Sequence, residues 1–117
     1  MKVQGGGHEI YILNALSLNC IGTNKADFLM TTSSFYEAKC WCSGKEVISA
    51  VRHGLQFIAK EMARECHLFK EVPQVKFNKG SYNVIVIQYK GPRLPEGTTV
   101  LPNGAKLEIW EGIIRVY

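Results

Sequence analysis

Three groups of side chains in this sequence have the chemistry to do something. The first combines thiol and imidazole: Cys40 and Cys42 stand two apart, and Cys66 is followed by His67. Zinc takes thiolate and imidazole ligands in a tetrahedron, and alternate positions of an extended segment would show the first two thiols on one face. The set still falls short of a zinc framework. The usual two-residue gap between paired ligands is missing, and neighbours on a helix project about 100° apart, so Cys66 and His67 cannot both turn to one ion. Free cysteine packs as a small apolar residue. Cys40, Cys42 and Cys66 are therefore read as core thiols, with no metal and no cofactor.

The second group would serve covalent catalysis. A nucleophile needs a base within hydrogen-bond reach, and the bases on offer are His8, His53 and His67, with Asp27 the sole aspartate. Nothing in the spacing pairs one of them with a particular serine or cysteine, so the balance tips away from an enzyme.

The third group is basic. Residues 72–95 hold Lys76, Lys79, Lys90 and Arg93 and no acid. The other ten basic residues offset ten acidic ones, so this window carries the formal net charge of +4. Such a local field attracts anionic partners. Tyr82 and Tyr89 are interleaved with the cations, and cations that fix phosphates beside aromatics that stack on bases make a single-strand platform. About four phosphate contacts would give a salt slope of only about −3 to −4. Lysines at a strand edge also discourage aggregation. Trp110, which alternates with Glu108, is the residue type that anchors interfaces. Gly5-Gly6-Gly7-His8 precedes an apolar run instead of linking a strand to a helix, unlike a phosphate loop. Residues 1–8 read as a flexible leader.

The elements that would hold these groups follow from periodicity. Ile10–Ile21 reads as a strand, bent near Asn14, and Gly22–Lys25 as a turn. Phe28–Thr32 and Phe35–Cys42 read as further strands, the latter with Tyr36, Ala38, Cys40 and Cys42 on one face. Ser43-Gly44-Lys45-Glu46 has the form of a capping box. Behind it Val47, Val51, Leu55, Ile58, Met62, Cys66 and Phe69 recur at helical steps as far as Pro73. That pattern predicts one helix over residues 43 to about 70, with Gly54 marking close packing. From residue 74 onward turn signals at residues 78–81, at Asn103-Gly104 and at Glu111-Gly112 predict hairpins.

The expected fold is α+β: one long amphipathic helix packed on a curved, mainly antiparallel sheet of about six to seven strands. It forms a single domain over residues 1–117. The apolar run Val84–Ile87 implies cover on both faces, so sheet curvature or a second subunit in a homodimer must close the side away from the helix. With 46% hydrophobic and 21% charged residues the composition is that of a globular chain. No apolar run approaches the ~20 residues of a membrane helix, and the first nine residues lack a secretory layout. A cytoplasmic protein without a membrane partner is expected.

The function expected on these grounds is a small non-enzymatic binding or regulatory protein. It would occupy an acidic protein or a nucleic acid through Lys76, Lys79, Lys90, Arg93, Tyr82, Tyr89 and Trp110, as an inhibitor encoded by a mobile genetic element would. The alternative is a small-ligand binder or small enzyme with a pocket between sheet and helix, near Tyr36, Cys40 and His53.

Overall fold

The computed structural model describes residues 8–14, 21, 25–95 and 97–117. Residues 1–7 of the expected leader, residues 15–20 of the first expected strand with Cys20 among them, and residues 22–24 of the expected turn lie outside them. The described chain forms β1 (Glu9–Leu13), β2 (Ala26–Ser33), α1 (Phe35–Cys42), β3 (Glu46–Ala50), α2 (Gln56–Met62), β4 (Leu68–Glu71), β5 (Gly80–Lys90) and β6 (Lys106–Val116).

The long helix does not exist, and the mainly antiparallel sheet is instead mixed. Residues 43–70 form a strand, a short helix and a second strand, and the six strands lie in the order β2-β6-β5-β1-β3-β4. β5, β1, β3 and β4 run parallel. β6 is antiparallel to both β5 and β2.

Local chemistry explains the change. Ser34, not Ser43, caps a helix. Its hydroxyl accepts the Glu37 N–H at 3.1 Å, and Ser34-Phe35-Tyr36-Glu37 has the same serine-to-glutamate spacing as residues 43–46. Ala38 and Cys42, one turn apart, are the buried pair of α1. The helix ends as the Ser43 N–H bonds Cys40 O and Gly44 takes φ +74°, a left-handed geometry open to glycine. The β-branched pair Val47-Ile48 then enters β3, whose backbone is paired on both sides by β1 and β4. Residues 35–42, expected as a strand, are α1.

Both faces of the sheet are covered, and by different means. Ile10, Ile12, Val47, Ile85, Ile87 and Ile109 pack against Ala38 and Cys42 of α1 and Ile58, Ala59 and Met62 of α2. On the opposite face Leu13, Val84, Ile114 and Val116 close on Phe77 and Ile21, with Val75 alongside. Residues 72–79, expected to supply a hairpin strand, instead run as coil over that face, and Phe77 is 1% exposed. Tyr11 meets Phe77 edge-on at 5.1 Å, and Tyr82 lies 4.6 Å from the Phe77 ring. Pairs of this kind add about 0.5–1.5 kcal/mol beyond their burial. The remaining antiparallel hairpin is β5–β6, eleven residue pairs joined by residues 91–105. Glu111-Gly112 is no turn; β6 runs straight through it.

Two glycines mark backbone approaches that a side chain would block. A Cβ on Gly112 would sit 1.9 Å from Leu29 O of β2, and one on Gly54 would sit 2.4 Å from Leu94 Cβ. Leu94 belongs to the β5–β6 connection, so the Gly54 contact holds that connection against the turn after β3. Gly54→Ala should cost about 1–3 kcal/mol through overpacking, read as a lower urea midpoint with an unchanged slope.

Candidate functional site

Parallel strands bring their carboxyl ends to one edge, and in open α/β sheets the crevice outside that edge is where ligands bind. Here β1, β3 and β5 deliver Asn14, Arg52 and the sequence Gln88-Tyr89-Lys90 to the same place. The Asn14 Oδ1 accepts the Arg52 N–H at 3.1 Å, which ties the exit of β1 to the exit of β3. The Arg52 guanidinium lies 5.8 Å from the centre of the Tyr89 ring, within cation–π range. The Tyr89 hydroxyl in turn donates to Pro92 O, so the ring is held from beyond its own strand.

Together Asn14, Arg52, Leu55, Gln88, Tyr89 and Lys90 line a cavity of ≈ 190 Å³. Leu55, 1% exposed, supplies an apolar wall, and the other five side chains are polar or aromatic. The volume lies below the ~300 Å³ of a pocket for a whole drug-sized ligand. It suits a compact head group.

The electrostatics favour an anion. Lys106 is the cross-strand partner of Lys90, and like charges placed opposite each other are unfavourable unless something neutralises them. Glu108 does so in part, 3.5 Å from Lys90 Nζ with both side chains well exposed, a geometry of small energetic weight. Arg93 is exposed at the same end of β5.

The seven residues expected to meet a partner do not share one surface. β5 is eleven residues long, so its ends are about 33 Å apart at 3.3 Å per residue. Lys90, Arg93 and Tyr89 lie at the carboxyl end. Lys79 lies just before the amino end, after Lys76 in the coil. Tyr82 has a structural setting: its ring packs on Phe77 and Tyr11 and its hydroxyl donates to Asn78 O at 2.8 Å. Trp110 pairs across the sheet with Val86 on one side and Thr32 on the other, half-buried.

Of the alternative pocket, His53 opens the turn His53–Leu55 directly after Arg52, at the carboxyl edge. Tyr36 and Cys40 are on the exposed side of α1, and the Tyr36 hydroxyl is held above its ordinary pKa by its hydrogen bond to Cys40. They line neither this cavity nor the second one. That second cavity is an open apolar trough of ≈ 560 Å³ between α1, α2 and residues 99–107, floored by Phe35, Phe57, Ile58, Leu101 and Leu107. The two are neighbours, because Leu107 is the cross-strand partner of Tyr89.

Of the three described thiols, Cys42 and Cys66 are neighbours and Cys40 stands apart. Cys40 is exposed and Cys42 fully buried on the same helix. Among the described residues no group of three or more His, Cys, Asp or Glu is arranged to hold a metal ion. Nor is any described helix long and apolar enough to cross a membrane.

Sequence reasoning missed Arg52 and Asn14, the two residues that join β1 to β3. Arg52 falls within residues 43–70, the stretch expected as one helix. A signal was available in the β-branched pair Val47-Ile48, residue types enriched in strands. The sequence matches no protein-family model, and no curated protein is significantly similar to it.

Burial pushes the Cys42 thiol up to about 12 from its ordinary value of 9.0, with the neighbouring Cys66 adding to the effect. The folded protein therefore keeps a proton there that the unfolded chain releases, so stability falls as pH rises from about 9 towards 12. Thermal melts across that window should show the fall, and Cys42→Ala should flatten its slope while lowering the melting temperature at pH 7.

Proposed function

We propose that this protein binds a small phosphate-bearing ligand at the carboxyl edge of its parallel strands. The observation that carries the reading is the Asn14–Arg52–Tyr89–Lys90 cavity at the meeting point of β1, β3 and β5. Arg52 supplies the planar donor set suited to a phosphate. Lys90 adds a point charge, and Asn14 keeps the backbone of Arg52 in place. The adjoining trough offers an apolar bed for the rest of the molecule, reached across the Tyr89–Leu107 pair. The reading develops the small-ligand alternative and requires no reaction.

A macromolecular partner is the second reading, favoured by the exposed cations Arg93 and Lys106 that flank the cavity. An acidic protein or a nucleic-acid strand long enough to reach around the domain from one end of β5 to the other would engage Lys76 and Lys79 as well, whereas a small ligand would not. The same charges at the two ends of one strand therefore separate the two readings.

A thermal-shift screen of inorganic phosphate, nucleotides and phosphosugars should find saturable stabilisation. At a hundredfold excess over Kd this amounts to about 2.7 kcal/mol. Arg52→Ala should weaken binding by about tenfold or more, as expected for a lost charge-assisted contact. Reversal of both Lys76 and Lys79 to glutamate should leave the affinity unchanged. A panel without any stabilising phosphate compound would rule the small-ligand reading out. Loss of binding to a polyanion on reversal of Lys76 and Lys79 would favour the macromolecular one.

A further inference from the structure

The two edges of the sheet are unlike. The β4 edge is four residues long and carries Lys70 and Glu71, charges of the kind that keep edges from pairing. The β2 edge is eight residues, Ala-Asp-Phe-Leu-Met-Thr-Thr-Ser, with Asp27 its only charge. Phe28 is 42% and Leu29 60% exposed, and Tyr117, 54% exposed, lies beside them. Among the described residues nothing pairs with the outer side of β2. An edge so long, so β-favouring and so lightly charged is a template for another strand.

The direction of its free backbone groups can be read from the ladder with β6. The Tyr117 N–H donates to Lys25 O at 2.9 Å, and bonded pairs alternate in an antiparallel ladder. Asp27, Leu29, Thr31 and Ser33 therefore also turn their N–H and C=O towards β6. The closeness of Leu29 O to Gly112 agrees. Ala26, Phe28, Met30 and Thr32 turn theirs outwards.

We propose that this edge joins two copies of the chain, β2 to β2 and antiparallel about Leu29, into one continuous twelve-stranded sheet. A two-fold axis through Leu29, perpendicular to the sheet, keeps the helices of both copies on one side. It sets Phe28 opposite Met30, Ala26 opposite Thr32 and Asp27 opposite Thr31, while Leu29 meets its own copy. All four outward-facing residues then fall in hydrogen-bonded pairs. Apolar side chains meet apolar ones on both faces: Leu29 with Leu29 on the helix side, and Phe28 with Met30 twice on the other. Moving the axis to Phe28 sets Asp27 against Leu29, and moving it to Met30 sets Leu29 against Thr31. Only the axis at Leu29 satisfies the backbone groups and the side chains together. Ala26 and Met30 also pack against the Phe77 cluster on the face that residues 72–79 cover, whereas no residue of β2 lines the carboxyl-edge cavity.

The full chain should sediment as a dimer across a concentration series. Met30→Pro removes an outward N–H that β6 does not use, and proline is tolerated at such edge positions. It should weaken association by about tenfold, two hydrogen bonds being lost per dimer, with an unchanged circular dichroism spectrum. Leu29 occupies a non-bonded pair, where the Cα atoms lie about 4.5 Å apart, within disulfide reach. Leu29→Cys should therefore give a covalent dimer when oxidised glutathione accepts the two electrons and two protons of the thiol pair. Thr31→Cys should not, and the unsubstituted chain, which has its own thiols, is the blank. A chain that stays monomeric at every concentration overturns the proposal. So does a dimer in which the two cysteine variants cross-link equally, and that comparison decides even if Met30→Pro does not fold.

Discussion

The organisation of the molecule depends on how β1 is satisfied. Five residues, Glu9–Leu13, are flanked by parallel neighbours on both sides, β5 and β3, and a strand in that position must find every backbone partner within the sheet. Parallel neighbours cannot be joined by a tight turn. Between β1 and β3 the chain contributes β2 at the far edge of the sheet and returns through α1, and between β3 and β4 it passes through α2, so both helices pack on one face. The same arrangement brings the ends of β1, β3 and β5 together. Asn14, Arg52 and Tyr89 are thus neighbours because of strand direction, although they are far apart in sequence.

The misread segment shows how a helical period can arise without a helix. Val47, Leu55, Ile58 and Met62 are all buried in one cluster, with Val51, Cys66 and Phe69 packed against it. Their common destination is the same core, but they reach it from β3, the turn after it, α2, the loop that follows and β4. Apolar spacing reports which side chains are buried, and at the length of a strand or a two-turn helix it does not report the backbone path. Residues 43–46 compounded the error, since the same cap spacing occurs at residues 34–37, where the hydroxyl of Ser34 makes the bond. The double burial of Val84–Ile87 was legible because a run apolar at consecutive positions has no wet face. What covers it was not, because Val75 and Phe77 act as coil and carry no periodic signal.

The site was legible by composition and not by place. Lys90, Arg93 and Tyr89 stood out as cations beside an aromatic. Lys76, Lys79 and Tyr82 stood out equally, and an eleven-residue strand separates the two sets. Arg52 and Asn14 join the first set only through parallel pairing, which requires knowing which strands are neighbours. Pairing between segments some forty residues apart has no local signature. The burial of Cys42 beside the exposure of Cys40 has the same origin: two residues apart is one face of a strand and nearly opposite faces of a helix.

Strand order also makes the domain indivisible. The central strand comes from the start of the described chain, while one of its two neighbours is contributed by residues 80–90. A truncation that stops before β5 leaves β1 with one side bare and Ile12 without Ile85 beside it. Neither half of the chain contains a complete sheet, and removing an end subtracts from the middle of the structure. If the polypeptide were to be split and reassembled, the cut belongs in residues 91–105, the long connection that no strand ladder crosses.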